Sequence, residues 1–286
     1  MVSRQMVTRS LWFQFLVFAL FIALLSAPGA LSMAAGRSVH TEGRLLALVL
    51  MWAPGISGIL VKWIFSRNLA GIGWRPGKFR YSLFAYACPL IVAGCVYGCV
   101  WWSGNATFSP EPFLVSLREQ LGQPAITLFQ AFVWFGTIEV VISLLSALGE
   151  EIGWRGFLVP LLAKNYTFSA VVWISWAAWY LYHLPIILFG GYHSHESLLF
   201  NLIVFAILLF ALTVILTWLR LVSGSIWPPA LFHAAHNLFV QSLFDKITTP
   251  NPSGDWVTGE FGVGLALGYL VAALWVFKRA SRLSNF

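Results

Sequence analysis

The sequence predicts an all-α fold, a polytopic bundle of about eight transmembrane helices forming a single domain over residues 1–286. Charged residues make up only 9% of the chain and hydrophobic residues 59%, with a mean hydropathy of +0.80. Soluble domains carry about 25% charged residues, and a soluble fold of this composition could not keep a polar surface. The 17 basic residues outnumber the 10 acidic ones, but they form no tract with interleaved aromatic residues, which argues against nucleic-acid binding.

Apolar stretches long enough to cross a bilayer recur along the whole chain, and each crossing needs about 20 residues. The eight candidate spans are 11–35, 45–65, 81–102, 125–149, 168–190, 197–219, 226–244 and 261–277. The first is also compatible with a signal peptide, because Arg4 and Arg9 precede it and small residues occupy 27–30. Its length favours a retained span.

The distribution of basic residues predicts the orientation. Positively charged residues concentrate in cytoplasmic loops. With a cytoplasmic N-terminus and eight spans, most Lys and Arg residues fall on the cytoplasmic side, and the exceptions are Arg37, Arg44, Arg118 and Lys246. We therefore expect an integral membrane protein, surrounded by the lipid bilayer, with both termini in the cytoplasm.

Ionisable residues within apolar spans are costly and are therefore the first functional candidates. Glu150 and Glu151 end a long apolar run, and Arg155 follows. On a helix, Glu151 and Arg155 are four residues apart with the acid first, which favours an ion pair. Glu150 lies on another face without an obvious helical partner, so it could accept or donate a proton. An alternative is that both acids simply lie at a membrane surface.

Two further ionisable residues, His183 and Glu139, lie within predicted spans. His183 is late in the 168–190 stretch, at a depth similar to that of Glu150 if the two helices are antiparallel, although a packing histidine is the alternative. Glu139 lies about three helical turns before Glu150, on nearly the same face. It could line the same cavity or satisfy a neighbouring helix, and the sequence assigns it no role.

A third polar cluster follows Pro228 and Pro229, which suit the first turn of a helix. His233 and Asn237 would then share one face, with His236 close to it. Their side chains could donate hydrogen bonds to a developing oxyanion, or the histidines could bind a metal with Glu150. The early position of His233 in its helix favours a cavity that opens on the cytoplasmic side.

Three motifs occur in order: Glu150-Glu151-x-x-x-Arg155, Trp179-x-x-x-His183 and His233-x-x-x-Asn237. Together they resemble the CPBP family of intramembrane proteases, which includes the Rce1-like CAAX prenyl proteases and the bacterial Abi group linked to bacteriocin self-protection. The resemblance covers about Gly149–Asn237, within a motif-bearing core that we place at about 131–244. The second motif usually has Phe where this chain has Trp179, and His236 is an additional histidine beside the third.

The resemblance implies an intramembrane endopeptidase that cleaves a membrane-associated peptide or protein, a prenylated CAAX protein being one option. By position, it assigns activation of a water molecule to Glu150 and His183, and stabilisation of the oxyanion to His233 and Asn237. It assigns a supporting role in the first motif to Glu151 and Arg155.

Alternatives differ in cofactor and in class. The favoured mechanism uses no cofactor, whereas a zinc-dependent version of the same hydrolase would use Glu150, His183 and His233 as ligands. A His-Glu-x-x-His helix is absent from the sequence. A non-catalytic membrane protein that binds a peptide or provides bacteriocin immunity is another alternative. A proton-coupled transporter is disfavoured because the sequence has no internal repeat.

Overall fold

The fold is known from a computed structural model, which describes residues 2–34, 39–251 and 254–280. In chain order the helices are α1 (Val2–Ala34), α2 (Val39–Ser66), α3 (Phe79–Trp102), α4 (Glu111–Leu121), α5 (Leu128–Leu162), α6 (Phe168–Phe189), α7 (Leu198–Ser223), α8 (227–244) and α9 (Val263–Ala280). Two short strands, β1 (Ala106–Phe108) and β2 (Thr248–Pro250), pair antiparallel. The predicted all-α class is confirmed.

Seven helices of the described chain are long and apolar enough to cross a membrane, as expected of an integral membrane protein. They are α1, α2, α3, α5, α6, α7 and α9. The expected eighth span, 226–244, corresponds to α8, which does not meet this criterion because its polar residues lower its hydropathy. Helix α8 instead packs against α3, α5 and α7, with most of its side chains buried.

Helix α1 is part of the bundle. It packs along α2, and Phe18 lies with its ring centroid 5.7 Å from that of Trp154 and 5.0 Å from that of Phe157.

The charges used to predict orientation are only partly described, and the side of the membrane that each terminus faces stays a prediction. Outside the described residues lie Arg37, Arg282 and the side chains of Arg4, Arg9 and Arg44.

Glycines bring α5 against α2 beside the paired glutamates. A Cβ atom on Gly149 would lie 2.7 Å from the Met51 carbonyl oxygen, and one on Gly153 would lie 2.4 Å from that of Pro54. Small residues allow helix backbones in membranes to approach closely, and here no side chain larger than hydrogen fits. This contact therefore fixes the backbone on both sides of Glu150.

Within the described ranges, three π-helical stretches interrupt the long helices. Phe135–Glu139 and Ile152–Leu158 lie in α5, and Asn237–Phe244 forms the second half of α8. The second begins directly after Glu151 and contains Arg155, and the third begins with Asn237. A π-helical turn has one more residue than an α-helical turn, so face assignments based on α-helical spacing do not hold across it.

The connection between α2 and α3 closes one end of the bundle over the start of α8. The Trp227 indole donates to the Trp74 carbonyl oxygen at 2.7 Å, and the Ile226 N–H donates to that of Gly73 at 2.9 Å. The guanidinium of Arg220 donates to the Arg155 carbonyl oxygen at 2.8 Å and also to that of Gly71. These bonds fix the depth at which α8 begins.

Candidate active site

A cavity of about 930 Å³ lies inside the bundle, between α1, α2, α5, α6, α7 and α8. Most of its wall is apolar. Its polar lining consists of Ser26, Glu150, Tyr182, His183, Tyr192, His233, His236, Asn237, Gln241 and Glu260. The structure thus brings the four residues predicted as catalytic to one cavity.

The cavity extends from these residues towards Tyr192, in the connection between α6 and α7, and towards Glu260. The α2–α3 connection covers the start of α8 through its bonds to Ile226 and Trp227. The side of the membrane on which the cavity opens stays a prediction.

Glu150 is held by two indole groups and is 5% exposed. Its Oε2 accepts hydrogen bonds from Trp179 Nε1 at 2.7 Å and from Trp154 Nε1 at 3.2 Å. The expectation that Glu150 has no helical partner is wrong, because Trp154 is one turn further along α5. An indole is uncharged, however, so neither bond neutralises the carboxylate. Among the described residues none donates to the second oxygen, Oε1.

Glu151 is fully buried and pairs with two basic groups. Arg155 Nη1 lies 2.9 Å from its Oε1, which confirms the predicted ion pair. His233 Nδ1 lies 3.0 Å from the same oxygen, a contact that the sequence did not indicate. Because a carboxylate only accepts hydrogen bonds, Nδ1 of His233 carries the proton. The other ring nitrogen, Nε2, takes no part in this contact.

His183 has a fixed tautomer as well. Its Nδ1 lies 2.8 Å from the Trp179 carbonyl oxygen, which can only accept, so Nδ1 is the protonated nitrogen. In the neutral ring Nε2 is then an acceptor. The ring packs against Phe205, with 5.3 Å between the ring centroids, and lines the cavity.

Besides Glu150, Trp179 contacts His183, His233 and Arg155. Its ring centroid lies 5.8 Å from that of His183 and 5.6 Å from that of His233. The Arg155 guanidinium carbon lies 4.0 Å from the centroid of the Trp179 ring, a cation–π contact. The sequence identifies Trp179 only as an aromatic motif position, since its contacts depend on how α5, α6 and α8 pack.

Asn237 opens the π-helical half of α8 and lines the cavity. Among the described residues none hydrogen-bonds to its side-chain amide, which can therefore donate to a group in the cavity. It follows His233 by about one turn, so the two residues predicted to stabilise an oxyanion lie on the same wall.

His236 belongs to a separate network that the sequence did not predict. Its Nδ1 lies 2.9 Å from the Tyr269 hydroxyl, and its Nε2 lies 2.8 Å from Glu260 Oε1. The Tyr192 hydroxyl bonds to the other oxygen of Glu260. Burial, with the charge of Glu150 as the second cause, raises the pKa of Glu260 to about 8. Glu260 lies in the polar segment before α9, where no apolar run marked it as buried.

Glu139 does not line the cavity, although a regular α-helix, Val140–Glu151, connects it to Glu150. It accepts a hydrogen bond from the Trp134 indole at 3.2 Å and is partly exposed.

The zinc alternative needs at least three converging ligands. Among the residues that the structure describes, no three His, Cys, Asp or Glu side chains are arranged to hold a metal ion. The Nδ1 atoms of His183 and His233 bond to a carbonyl and to Glu151, so Nε2 is the nitrogen of each ring that could bind a further group. The metal-free mechanism stays a proposal.

Comparison with known proteins supports the resemblance. Residues 131–239 match the family model of Rce1-like type II CAAX prenyl endopeptidases. The matched segment runs from α5 into α8 and contains all three motifs. A search of curated proteins finds no match. The family predicted from the motifs is thus confirmed over this segment, and the chain is similar there to a family of type II CAAX prenyl endopeptidases.

Proposed function

We propose that the protein is an intramembrane endopeptidase in which Glu150 activates a water molecule for attack on a peptide bond. The observation that carries the proposal is the environment of Glu150. One oxygen is held by two uncharged donors, while the other takes no hydrogen bond from any described residue, in a cavity shared with His183, His233 and Asn237.

Water is a poor nucleophile and needs a base within hydrogen-bond reach. In this proposal Glu150 Oε1 accepts a proton from the water as the water oxygen bonds to the substrate carbonyl carbon. His183 Nε2, an acceptor in the neutral ring, orients the same water. Glu150 then passes the proton to the leaving nitrogen as the C–N bond breaks, which yields a carboxyl group and an amine.

The tetrahedral intermediate carries an oxyanion that needs donors. Asn237 can donate through its amide without a change of charge. His233 can donate through Nε2 only as an imidazolium, because Nδ1–H already bonds to Glu151. The Glu151 carboxylate stabilises that cation, and Arg155 stabilises the carboxylate. Removal of one oxyanion donor costs about 10²–10³ in kcat in other hydrolases.

The substrate in this proposal is a membrane-associated peptide or protein, as expected of a CAAX-type endopeptidase. The largely apolar wall contributed by α1, α2 and α6 favours a hydrophobic segment beside the scissile bond. A lipidated C-terminus is the option that the family suggests. The proposed mechanism uses no metal cofactor, and the termini are proposed to lie in the cytoplasm.

The test is cleavage of quenched-fluorescent peptides, with and without a prenylated C-terminal cysteine motif, by protein purified in detergent. We expect cleavage by the wild type that persists after chelation of divalent metals and is lost in Glu150→Gln. Cleavage that is lost on chelation and restored by zinc would contradict the metal-free mechanism. Equal cleavage by Glu150→Gln would contradict the role of Glu150.

A further inference from the structure

We infer that Trp179 and Trp154 are positioning residues, which hold one oxygen of Glu150 and thereby direct the other towards the cavity. The inference rests on the proposed function, because it assigns these two indoles a role in orienting the catalytic base.

Both indoles bond to the same oxygen from different helices. Trp154 lies in α5, one turn after Glu150, and Trp179 lies in α6. A single donor would leave the carboxylate free to rotate about its terminal bond and exchange its oxygens. Two donors from separate directions fix Oε2, so Oε1 is the oxygen that remains for a water molecule.

The indoles are themselves held in place. Trp179 is 2% exposed and lies under the Arg155 guanidinium, which the ion pair with Glu151 fixes in turn. Trp154 is equally buried, and its ring packs against Phe18. Neither ring can turn its N–H away from Glu150 without breaking these contacts.

The donors suit a base because they are uncharged. A hydrogen bond to a charged acceptor is roughly twice as strong as a neutral one. The two indoles therefore hold the carboxylate firmly without the charge neutralisation that Arg155 provides to Glu151. The two neighbouring glutamates therefore differ. Glu151 is paired with a cation, whereas Glu150 is held by uncharged donors alone.

Another tryptophan of α6 provides a matched control. Trp176 lies about one turn before Trp179, and its indole donates to the Ala206 carbonyl oxygen at 3.0 Å. A change of Trp176 to Phe removes the same N–H group and the same ring volume, but it leaves Glu150 untouched.

The first test compares kcat and KM of Trp179→Phe, Trp154→Phe and Trp176→Phe on a peptide that the wild type cleaves. We expect kcat to fall about 10-fold or more in Trp179→Phe, to fall less in Trp154→Phe, and to stay unchanged in Trp176→Phe, each with KM within about twofold. A wild-type kcat in Trp179→Phe, or an equal fall in Trp176→Phe, would overturn the inference. If Trp179→Phe does not fold, an unchanged kcat in Trp154→Phe would overturn it.

A second test does not need activity. In protein labelled with ¹⁵N-tryptophan, the resonances lost in Trp154→Phe and Trp179→Phe identify the two indole N–H groups. We expect Glu150→Gln to shift both and to leave the Trp176 resonance in place, and unshifted resonances would refute the inference. A failure of the proposed function appears differently, as a wild type without cleavage or a Glu150→Gln variant that cleaves normally.

Discussion

At the scale of single residues, the site separates two adjacent acids by the charge of their partners. Glu151 is fully buried and shares one oxygen between Arg155 and His233. Glu150 has only indole donors. A buried charge is tolerated only with a partner, so the pairing of Glu151 is needed for the stability of the fold. Glu150 keeps one oxygen available for chemistry.

This difference predicts that Glu→Gln lowers the stability at position 151 but not at position 150. Glu151→Gln leaves Arg155 buried without a counter-charge, so the free energy of unfolding should fall by about 3 kcal/mol or more. Glu150→Gln keeps an amide oxygen that accepts from both indoles, so its thermal midpoint should stay close to that of the wild type. Thermal unfolding of both variants in the same detergent is the measurement. Equal midpoints for the two variants would contradict this interpretation.

A sequence pattern can predict contacts that lie within one helical turn. The Glu151–Arg155 pair follows from its four-residue spacing, and the same spacing could have identified Trp154 as a partner of Glu150. The bond from Trp179 to Glu150 depends on how α6 packs on α5, which no local pattern encodes. Glu260 was missed for a related reason, since its burial comes from His236 and other residues distant in sequence.

At the scale of the elements, glycine contacts and π-helical stretches determine where the polar side chains point. The approach of α5 to α2 at Gly149 and Gly153 leaves no room for a Cβ atom. The stretch Ile152–Leu158 begins directly after Glu151, and Asn237–Phe244 begins with Asn237 itself. Sequence periodicity assumes regular α-helix, so side-chain directions beyond these points do not follow from it.

The helix contact predicts a strong position dependence for Gly→Ala. In Gly153→Ala the new methyl group would lie 2.4 Å from the Pro54 carbonyl oxygen, so α5 must move away from α2. We expect a loss of about 1–3 kcal/mol in the free energy of unfolding, by analogy with overpacked cores.

Gly98→Ala in α3 is the control, because a Cβ atom there meets nothing within 4 Å. Since Ala favours helix over Gly, this variant should be as stable as the wild type or more so. The comparison requires chemical or thermal unfolding in one detergent. A Gly153→Ala variant as stable as Gly98→Ala would show that the contact is not tight.

At the scale of the whole molecule, composition was sufficient to predict a membrane-embedded helical bundle, but not its arrangement. In the described chain, seven helices are apolar enough to cross a membrane, and three of them, α3, α5 and α7, pack against the less apolar α8. The cavity beside α8 joins the proposed catalytic residues to the network of His236 and Glu260. That network connects α8, α9 and the α6–α7 connection through Tyr192 and Tyr269.

Glu260 gives the molecule a defined pH dependence. Its pKa rises from an ordinary value of 4.5 to about 8 in the fold, so the folded state keeps a proton that the unfolded state loses. Its contribution to the free energy of unfolding is therefore complete at low pH, declines as the pH rises from about 4.5 to about 8, and is constant above.

Glu260→Gln cannot ionise, so its stability should decline less than that of the wild type between about pH 6 and pH 8.5. Thermal midpoints across this range, in one detergent, test the prediction. Glu119→Gln changes an exposed carboxyl group on α4 and should keep the wild-type slope. Parallel curves for Glu260→Gln and the wild type would refute the contribution of Glu260.

The most direct test of the central claim is the kcat of Glu150→Gln beside that of Glu139→Gln, on a membrane-associated peptide that the wild type cleaves. Both acids lie on α5, but Glu139 bonds to Trp134 and lies outside the cavity lining. If Glu150 is the base, kcat in Glu150→Gln falls about 10²–10⁴-fold with KM little changed, whereas Glu139→Gln keeps the wild-type rate. Wild-type turnover by Glu150→Gln, or an equal loss in Glu139→Gln, would contradict the claim.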